Sequence, residues 1–216
     1  MKKNQKVIPV HLNNSPEKIR EHLSGLEEVF PMFADYFPWD VPANLASAIL
    51  RKISLLNDEY IIQDTVAIHK RAIVESGVIL KGPLIICAEA FVGSHAYLRG
   101  GVYLSEHACI GPSVEVKASF IGKGSRIAHF NCVGDSLIGE NVNMEAGSVI
   151  ANQLNERADR TLVFTWSGKQ HRIANHKFGA LVGNYSCIGA NAVLSPGTIL
   201  PMGSIVPRLA LVDQQV

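Results

Sequence analysis

No stretch of this 216-residue chain approaches twenty consecutive apolar residues, so the sequence offers no membrane-spanning helix. Neither charge sign dominates. The net charge is +1 and 18% of residues are charged, which argues against a nucleic-acid or membrane surface built on bulk charge. The opening residues 1–6 are polar, read as a frayed end, and lack the pattern of a signal peptide. Cysteine is sparse. Cys87, Cys109, Cys132 and Cys187 are scattered with no CxxC spacing, which excludes a thiolate metal knuckle and a disulfide framework. Together these absences predict reduced, mostly structural thiols in a cytoplasmic protein.

What the chain does have is a period. From Ile62 to Ile150 an aliphatic residue, or once a methionine, opens every unit of six. The series runs from Ile62, Ile68, Val74 and Leu80 to Ile138, Met144 and Ile150, with units one residue short at Val116 and Val133. It resumes at Val182, Ile188, Leu194, Leu200 and Val206. The fifth residue of a unit is usually small or β-branched, and the second is often glycine, as at Gly93, Gly111, Gly122, Gly134 and Gly139.

A period of six fits no helix, whose apolar stripe repeats about every 3.6 residues. It fits a two- to three-residue strand plus a corner. Three such sides make a triangular coil, and successive coils pair at about 4.8 Å. The aliphatic residue points into the prism, and glycine is expected at corners that need unusual φ. The reading is a mainly β chain: a parallel β-helix over residues 61–210, preceded by a helical cap over 1–60.

Within that cap, residues 6–12 suit a short strand, and Ser15-Pro16-Glu17 reads as a helix start. Ile19, Leu23, Leu26, Phe30 and Phe33 follow at helical spacing, interrupted by Gly25 and Pro31. A second helix is predicted over residues 42–56, and the cap is expected to shield the open edge of the first coil. The frame breaks between residues 152 and 181. Residues 161–166 and 170–173 flank the turn Ser167-Gly168-Lys169, which predicts an extruded hairpin arm.

The frame also places charge. Lys81, Arg99 and Lys117 are each the second residue of a unit and lie eighteen apart, so they should form one vertical ladder. Like charges stacked across strands are unfavourable. An anion such as a phosphate or diphosphate is then a natural reason to keep them. On the same frame, Ala146-Gly147 should lie directly beside His129, with Asn143 at that corner.

The runs Leu98-Arg99-Gly100-Gly101, Val114-Glu115-Val116-Lys117, Gly124-Ser125-Arg126-Ile127-Ala128-His129, Gly134-Asp135 and Ile138-Gly139-Glu140-Asn141-Val142-Asn143 carry a resemblance. They are similar to the acetyltransferase domain of the bifunctional glucosamine-1-phosphate acetyltransferase/N-acetylglucosamine-1-phosphate uridyltransferases, a hexapeptide-repeat, left-handed β-helix family. His176 to Gly183 resembles the rejoining segment of archaeal-type sugar-1-phosphate nucleotidylyltransferases. The left hand of the helix is implied by this resemblance, not by the period. No Gly-rich pyrophosphorylase segment precedes the coils, so the nucleotidyltransferase domain is expected to be absent.

The resemblance implies acetyl transfer from acetyl-CoA, or another acyl-CoA, to the amine of a phosphorylated or nucleotide-linked amino sugar, with no metal. It implies His129 as general base and the Ala146 N–H as oxyanion donor. Arg99 and Lys117 would hold the substrate phosphate, Asn143 and Asn152 the sugar, and Ala190 the coenzyme A. It implies a homotrimer with sites between subunits. Two positions depart from the pattern: Cys132 stands where the family has a tyrosine, and Met144-Glu145 replaces a small-Gly pair. Other readings on the same fold stay open: an acyl-carrier-protein-dependent or O-acyl transferase, or a scaffold without chemistry. A three-histidine metal site is disfavoured, because His95 and His107 are twelve apart and fall on different sides of the prism.

Overall fold

The computed structural model describes residues 18–173 and 177–214. The strand expected over 6–12 and the helix start at Ser15-Pro16-Glu17 lie outside the described residues. The chain forms a parallel β-helix of about eight turns, consistent with the left-handed type.

Each turn has three faces. The first holds the paired strands Ile73–Val74, Phe91–Val92, Cys109–Ile110, Arg126–Ile127, Asn143–Met144, Cys187–Ile188 and Ile205–Val206. The second runs from Ile79–Lys81 through Cys132–Gly134 and Val149–Ile150 to Leu211–Val212. The third runs from Val66–His69 and Leu84–Ile86 through Leu137–Ile138 and Ala180–Val182 to Thr198–Leu200. Tyr97–Leu104 and Glu115–Ile121 each turn the corner from the second face to the third.

The six-residue frame maps onto this prism. Val92, Leu98, Leu104, Ile110, Val116, Ile121, Ile127, Val133, Ile138, Met144 and Ile150 stack inside it with almost no exposure. Burying each such side chain contributes roughly 1.5–3 kcal/mol. Ile62 departs from the frame. It sits in Tyr60–Gln63, pairs antiparallel with Val66–His69 and is 45% exposed, so the prism proper starts at Val66.

Some glycines take the expected corner conformation, as Gly77, Gly124, Gly147 and Gly203 do at positive φ, but those at the second place of a unit serve another purpose. Gly93 and Gly111 have ordinary φ. A Cβ on Gly93 would lie 2.7 Å from the Pro112 nitrogen, and one on Gly111 would lie 2.9 Å from the Ala128 oxygen. They are small because the next coil passes directly over them. The left-handed corner conformations are shared between the positive-φ glycines and His95, Ser113, Phe130, Asn141 and Asn191, among others.

The helical segment does not sit over the first coil's edge, which pairs with Tyr60–Gln63. It is broken at Gly25 and Pro31 into short turns that include α1, Leu26–Val29, and is followed by α2, Val41–Ile53. These elements lie along the third face. Leu45, Ile49, Phe30 and Phe33 bury there against Ile85, Tyr103, Phe120 and Leu137, the outward residues of that face. Gly101, at φ +100°, lets α2 come close: a Cβ there would be 2.9 Å from the Ala46 nitrogen.

The arm joins the same layer. Its strands Leu162–Trp166 and Lys169–Ile173 form an antiparallel hairpin. Leu162, Phe164, Trp166 and Ile173 are buried, with Trp39 edge-on to Phe164 at 5.0 Å and His22 stacked on Trp166 at 5.3 Å. The arm is therefore not extruded. Its apolar residues alternate with period two, which is what a hairpin laid on a core requires.

Candidate active site

His129 stands at the corner between the first and second faces, opposite the covered third face. Its side chain is exposed, and its ring nitrogens make no hydrogen bond among the described residues. The backbone at this corner stacks in one column. Phe130 N–H donates to Pro112 O, Gly147 N–H to His129 O at 2.9 Å, Asn191 N–H to Ala146 O, and Leu209 N–H to Ala190 O. Above His129 the column therefore presents Ala146, then Ala190, then Arg208. Two small residues leave the space over the imidazole open. Asn143 does not share this corner: it pairs with Arg126 and Cys187 on the flat first face, facing outward.

The basic ladder forms in the expected register, with Lys81 opposite Arg99 and Arg99 opposite Lys117. It is not a bare stack of like charges, because carboxylates interleave. Arg99 Nη2 lies 2.7 Å from Glu115 Oε1, and Lys117 Nζ lies 2.7 Å from Asp135 Oδ2. Lys81 and Arg99 also lie over the Tyr97 ring, at 5.3 and 5.6 Å. Glu115, Asp135 and Tyr97 were missed from sequence. Glu115 and Tyr97 could have been found, since both are outward residues two places before a ladder cation.

Cys132 lies in the middle of the second face. Burial pushes its thiol pKa up, Glu115 adds to the rise, and Arg99 and Lys117 oppose it. It is a neutral filler beside the ladder rather than a thiolate nucleophile.

Asn152 closes the corner between the second and third faces. Its Nδ2 donates to Asp135 Oδ2 in a short hydrogen bond, and Gly134 leaves it room. The inserted segment departs from this corner and returns through Gly179, whose N–H donates to Asp135 O.

Glu145, the neighbour of Ala146, reaches toward the two coils above it. Its Oε2 accepts from the Ala190 N–H at 2.9 Å and from Arg208 Nε at 2.7 Å, while Oε1 accepts from Arg208 Nη2 at 2.8 Å. Arg208, then the Ala190 N–H, hold its pKa below the usual carboxylate range. The carboxylate thus blocks the amide assigned to coenzyme A. Beside it lies a cleft of about 260 Å³ lined by Asn143, Cys187, Ile205 and Arg208. Glu145→Ala is expected to lower the KM for acetyl-CoA several-fold with the sugar KM unchanged. A higher acetyl-CoA KM would mean that Glu145 builds the donor site.

A second cavity of about 290 Å³ lies under the helical layer, lined by Glu28, Tyr103, Glu106, Lys123 and Glu140, and shares none of these residues. Among the described residues no group of three or more His, Cys, Asp or Glu is placed to hold a metal ion. His95 and His107 stand at different corners, His107 between the third and first faces. No helix of the described residues is long and apolar enough to cross a membrane.

No family model matches the chain. Individual relatives do. A bifunctional sugar-1-phosphate nucleotidylyltransferase/acetyltransferase of Sulfurisphaera tokodaii is 38% identical over 162 residues, covering 74% of this chain and 40% of the relative. A bifunctional protein GlmU of Methanococcus vannielii is 33% identical over 188 residues, covering 83% of this chain and 44% of the relative. Among solved structures, the acetyltransferase domain of PglB from Neisseria gonorrhoeae with acetyl coenzyme A matches at 18% identity and a TM-score of 0.40, covering 68% of this chain and 56% of that one. The chain spans less than half the length of the curated relatives named here. The chain is thus a homologue, over a part of their length, of the bifunctional sugar-1-phosphate nucleotidylyltransferase/acetyltransferases.

Proposed function

We propose that this chain is a cytoplasmic N-acetyltransferase that moves an acetyl group from acetyl-CoA to the amine of a phosphorylated or nucleotide-linked amino sugar. The observation that carries the reading is the corner column. His129 stands exposed beneath the small residues Ala146 and Ala190, beside a face that carries the basic ladder.

In the reaction, the free amine attacks the thioester carbonyl and a C–N bond forms. His129 takes the proton released from nitrogen, the general-base role in which histidine is most often used. The Ala146 N–H is assigned to the developing oxyanion. The C–S bond then breaks, and the coenzyme A thiolate leaves and takes up the proton. The relative from Sulfurisphaera tokodaii carries sugar-1-phosphate and acetyltransferase in its name, in agreement with this chemistry.

The same reading includes a homotrimer with sites between subunits. The third face is covered by the chain's own helices and arm, whereas the other two are not. They carry Phe130 at 73%, Leu209 at 79%, Ile205 at 80% and Leu211 at 67% exposure, grouped around the His129 corner. Apolar side chains so placed favour burial against further copies. A monomer by sedimentation equilibrium would remove this part of the reading.

The ladder has its own test. Arg99→Ala should raise the KM for a phosphorylated amino sugar roughly tenfold or more, because a charge-assisted hydrogen bond is lost. The KM for acetyl-CoA should stay within about twofold. Equal effects on both would remove the phosphate assignment.

A further inference from the structure

Asp135 joins two residues assigned to the substrate, and it does so asymmetrically. Both of its carboxylate oxygens accept from Lys117 Nζ, at 2.7 and 3.1 Å, and Oδ2 also accepts from Asn152 Nδ2. Asp135 is 7% exposed. The side chains of the Lys117–Asp135 pair are 20% and 10% exposed. Its backbone is tied as well, through Asp135 N–H to Lys117 O and Gly179 N–H to Asp135 O. It stands in the left-handed region at φ 48°, so its position is set by the coils on either side.

An ionised carboxylate only accepts hydrogen bonds, so the face of the Asn152 amide turned toward it must be the NH2. The carbonyl Oδ1 is then directed the other way. That oxygen has no hydrogen-bond partner among the described residues, and it is not enclosed.

We infer that Asp135 is a positioning residue that fixes the polarity of Asn152, so that this corner of the site presents a carbonyl acceptor and reads an N–H or O–H donor on the sugar. The inference rests on the function proposed above and narrows it. Asp135 also leaves the Lys117 ammonium only its remaining N–H for the substrate phosphate. One buried carboxylate thereby sets both the acceptor and the cation on this side of the site. With an amide in place of the carboxylate, an NH2 at position 135 would favour the flipped Asn152, which would turn a donor toward the sugar donor.

The test uses the full chain, acetyl-CoA and glucosamine 1-phosphate, or whichever amino-sugar phosphate the unaltered protein acetylates. Asp135→Asn is expected to raise the sugar KM roughly tenfold or more, with the acetyl-CoA KM within about twofold. The exchange Asp135→Asn with Asn152→Asp should recover most of that loss. It restores an amide-to-carboxylate hydrogen bond and leaves a carboxylate oxygen as the outward acceptor. A general loss of stability would move both KM values or the melting temperature and would not be rescued by the exchange. Should Asp135→Asn fail to fold, Asn152→Ala carries the test alone, since it leaves the Lys117 pair in place, and the same selective rise in sugar KM is expected.

An unchanged sugar KM, an equal rise in both, or an exchange no better than Asp135→Asn overturns the inference while acetyl transfer itself stands. Absence of acetyl transfer by the unaltered protein removes both this inference and the function it rests on.

Discussion

Replacing His129 with alanine is expected to lower kcat about a hundredfold or more, the contribution that a positioned general base usually makes. The melting temperature should not change. The side chain is exposed, and its ring makes no hydrogen bond among the described residues, so its loss opens no cavity and leaves no buried group unpaired. The backbone carbonyl that receives the Gly147 N–H is retained in the variant, so the corner column keeps its register. The KM values should move little, because a base acts mainly in the transition state. His129→Asn would preserve polarity and approximate size without a basic ring nitrogen, and the same loss is expected. Turnover within about threefold of the unaltered protein would take His129 out of the chemistry.

The second large effect is on stability. Phe120→Ala should destabilise the fold by about 3–5 kcal/mol, the range for truncating a fully buried phenylalanine. Phe120 points outward from the third face and is 0% exposed, because the helical layer covers it. Its ring stacks on Tyr103 at 5.4 Å, and Tyr103 in turn meets Phe30 edge-on at 5.2 Å. The cavity would open between two layers that are each held elsewhere, which limits how far they can collapse. In a chain of this size the melting temperature should fall by roughly 6–20 °C. A change below about 1 kcal/mol would show that the helices and arm are loosely applied to the prism.

These two residues also mark how far the sequence could be read. The prism was legible because a period of six maps one-to-one onto sides of a coil, and each aliphatic residue of the frame after Ile62 could be assigned inward without knowing anything else. The ladder followed from arithmetic on the same frame, and its register is as expected. The third face was not legible. Ile85, Tyr103, Phe120, Leu137 and Leu181 are outward positions, and a frame that tracks only inward residues reads them as surface. Large apolar residues recurring at outward positions on one face alone were the available signal that something covers it. Neither the flanking position of the helices nor the folded-back arm could be placed without that signal.

The electrostatics were half legible. Spacing found the three cations but not their carboxylates. Glu115 belongs to the next coil's strand, and Asp135 lies at a corner displaced by a five-residue unit. Glu145 was visible as a departure, but its partner Arg208 is two coils higher in the corner column and more than sixty residues on. Long-range pairs of this kind depend on which coil the inserted segment interrupts, and the insertion hides that count.

The most direct measurement is transfer itself. The full chain is incubated with acetyl-CoA and a panel of amino-sugar phosphates and nucleotide-linked amino sugars. Thiol release is followed, and the product is identified by mass spectrometry and NMR. The account predicts thiol release that depends on the sugar, an acetyl group on the amine nitrogen, and loss of both in His129→Ala. Acetylation on oxygen, or coenzyme A release that does not depend on any amino sugar, would contradict it.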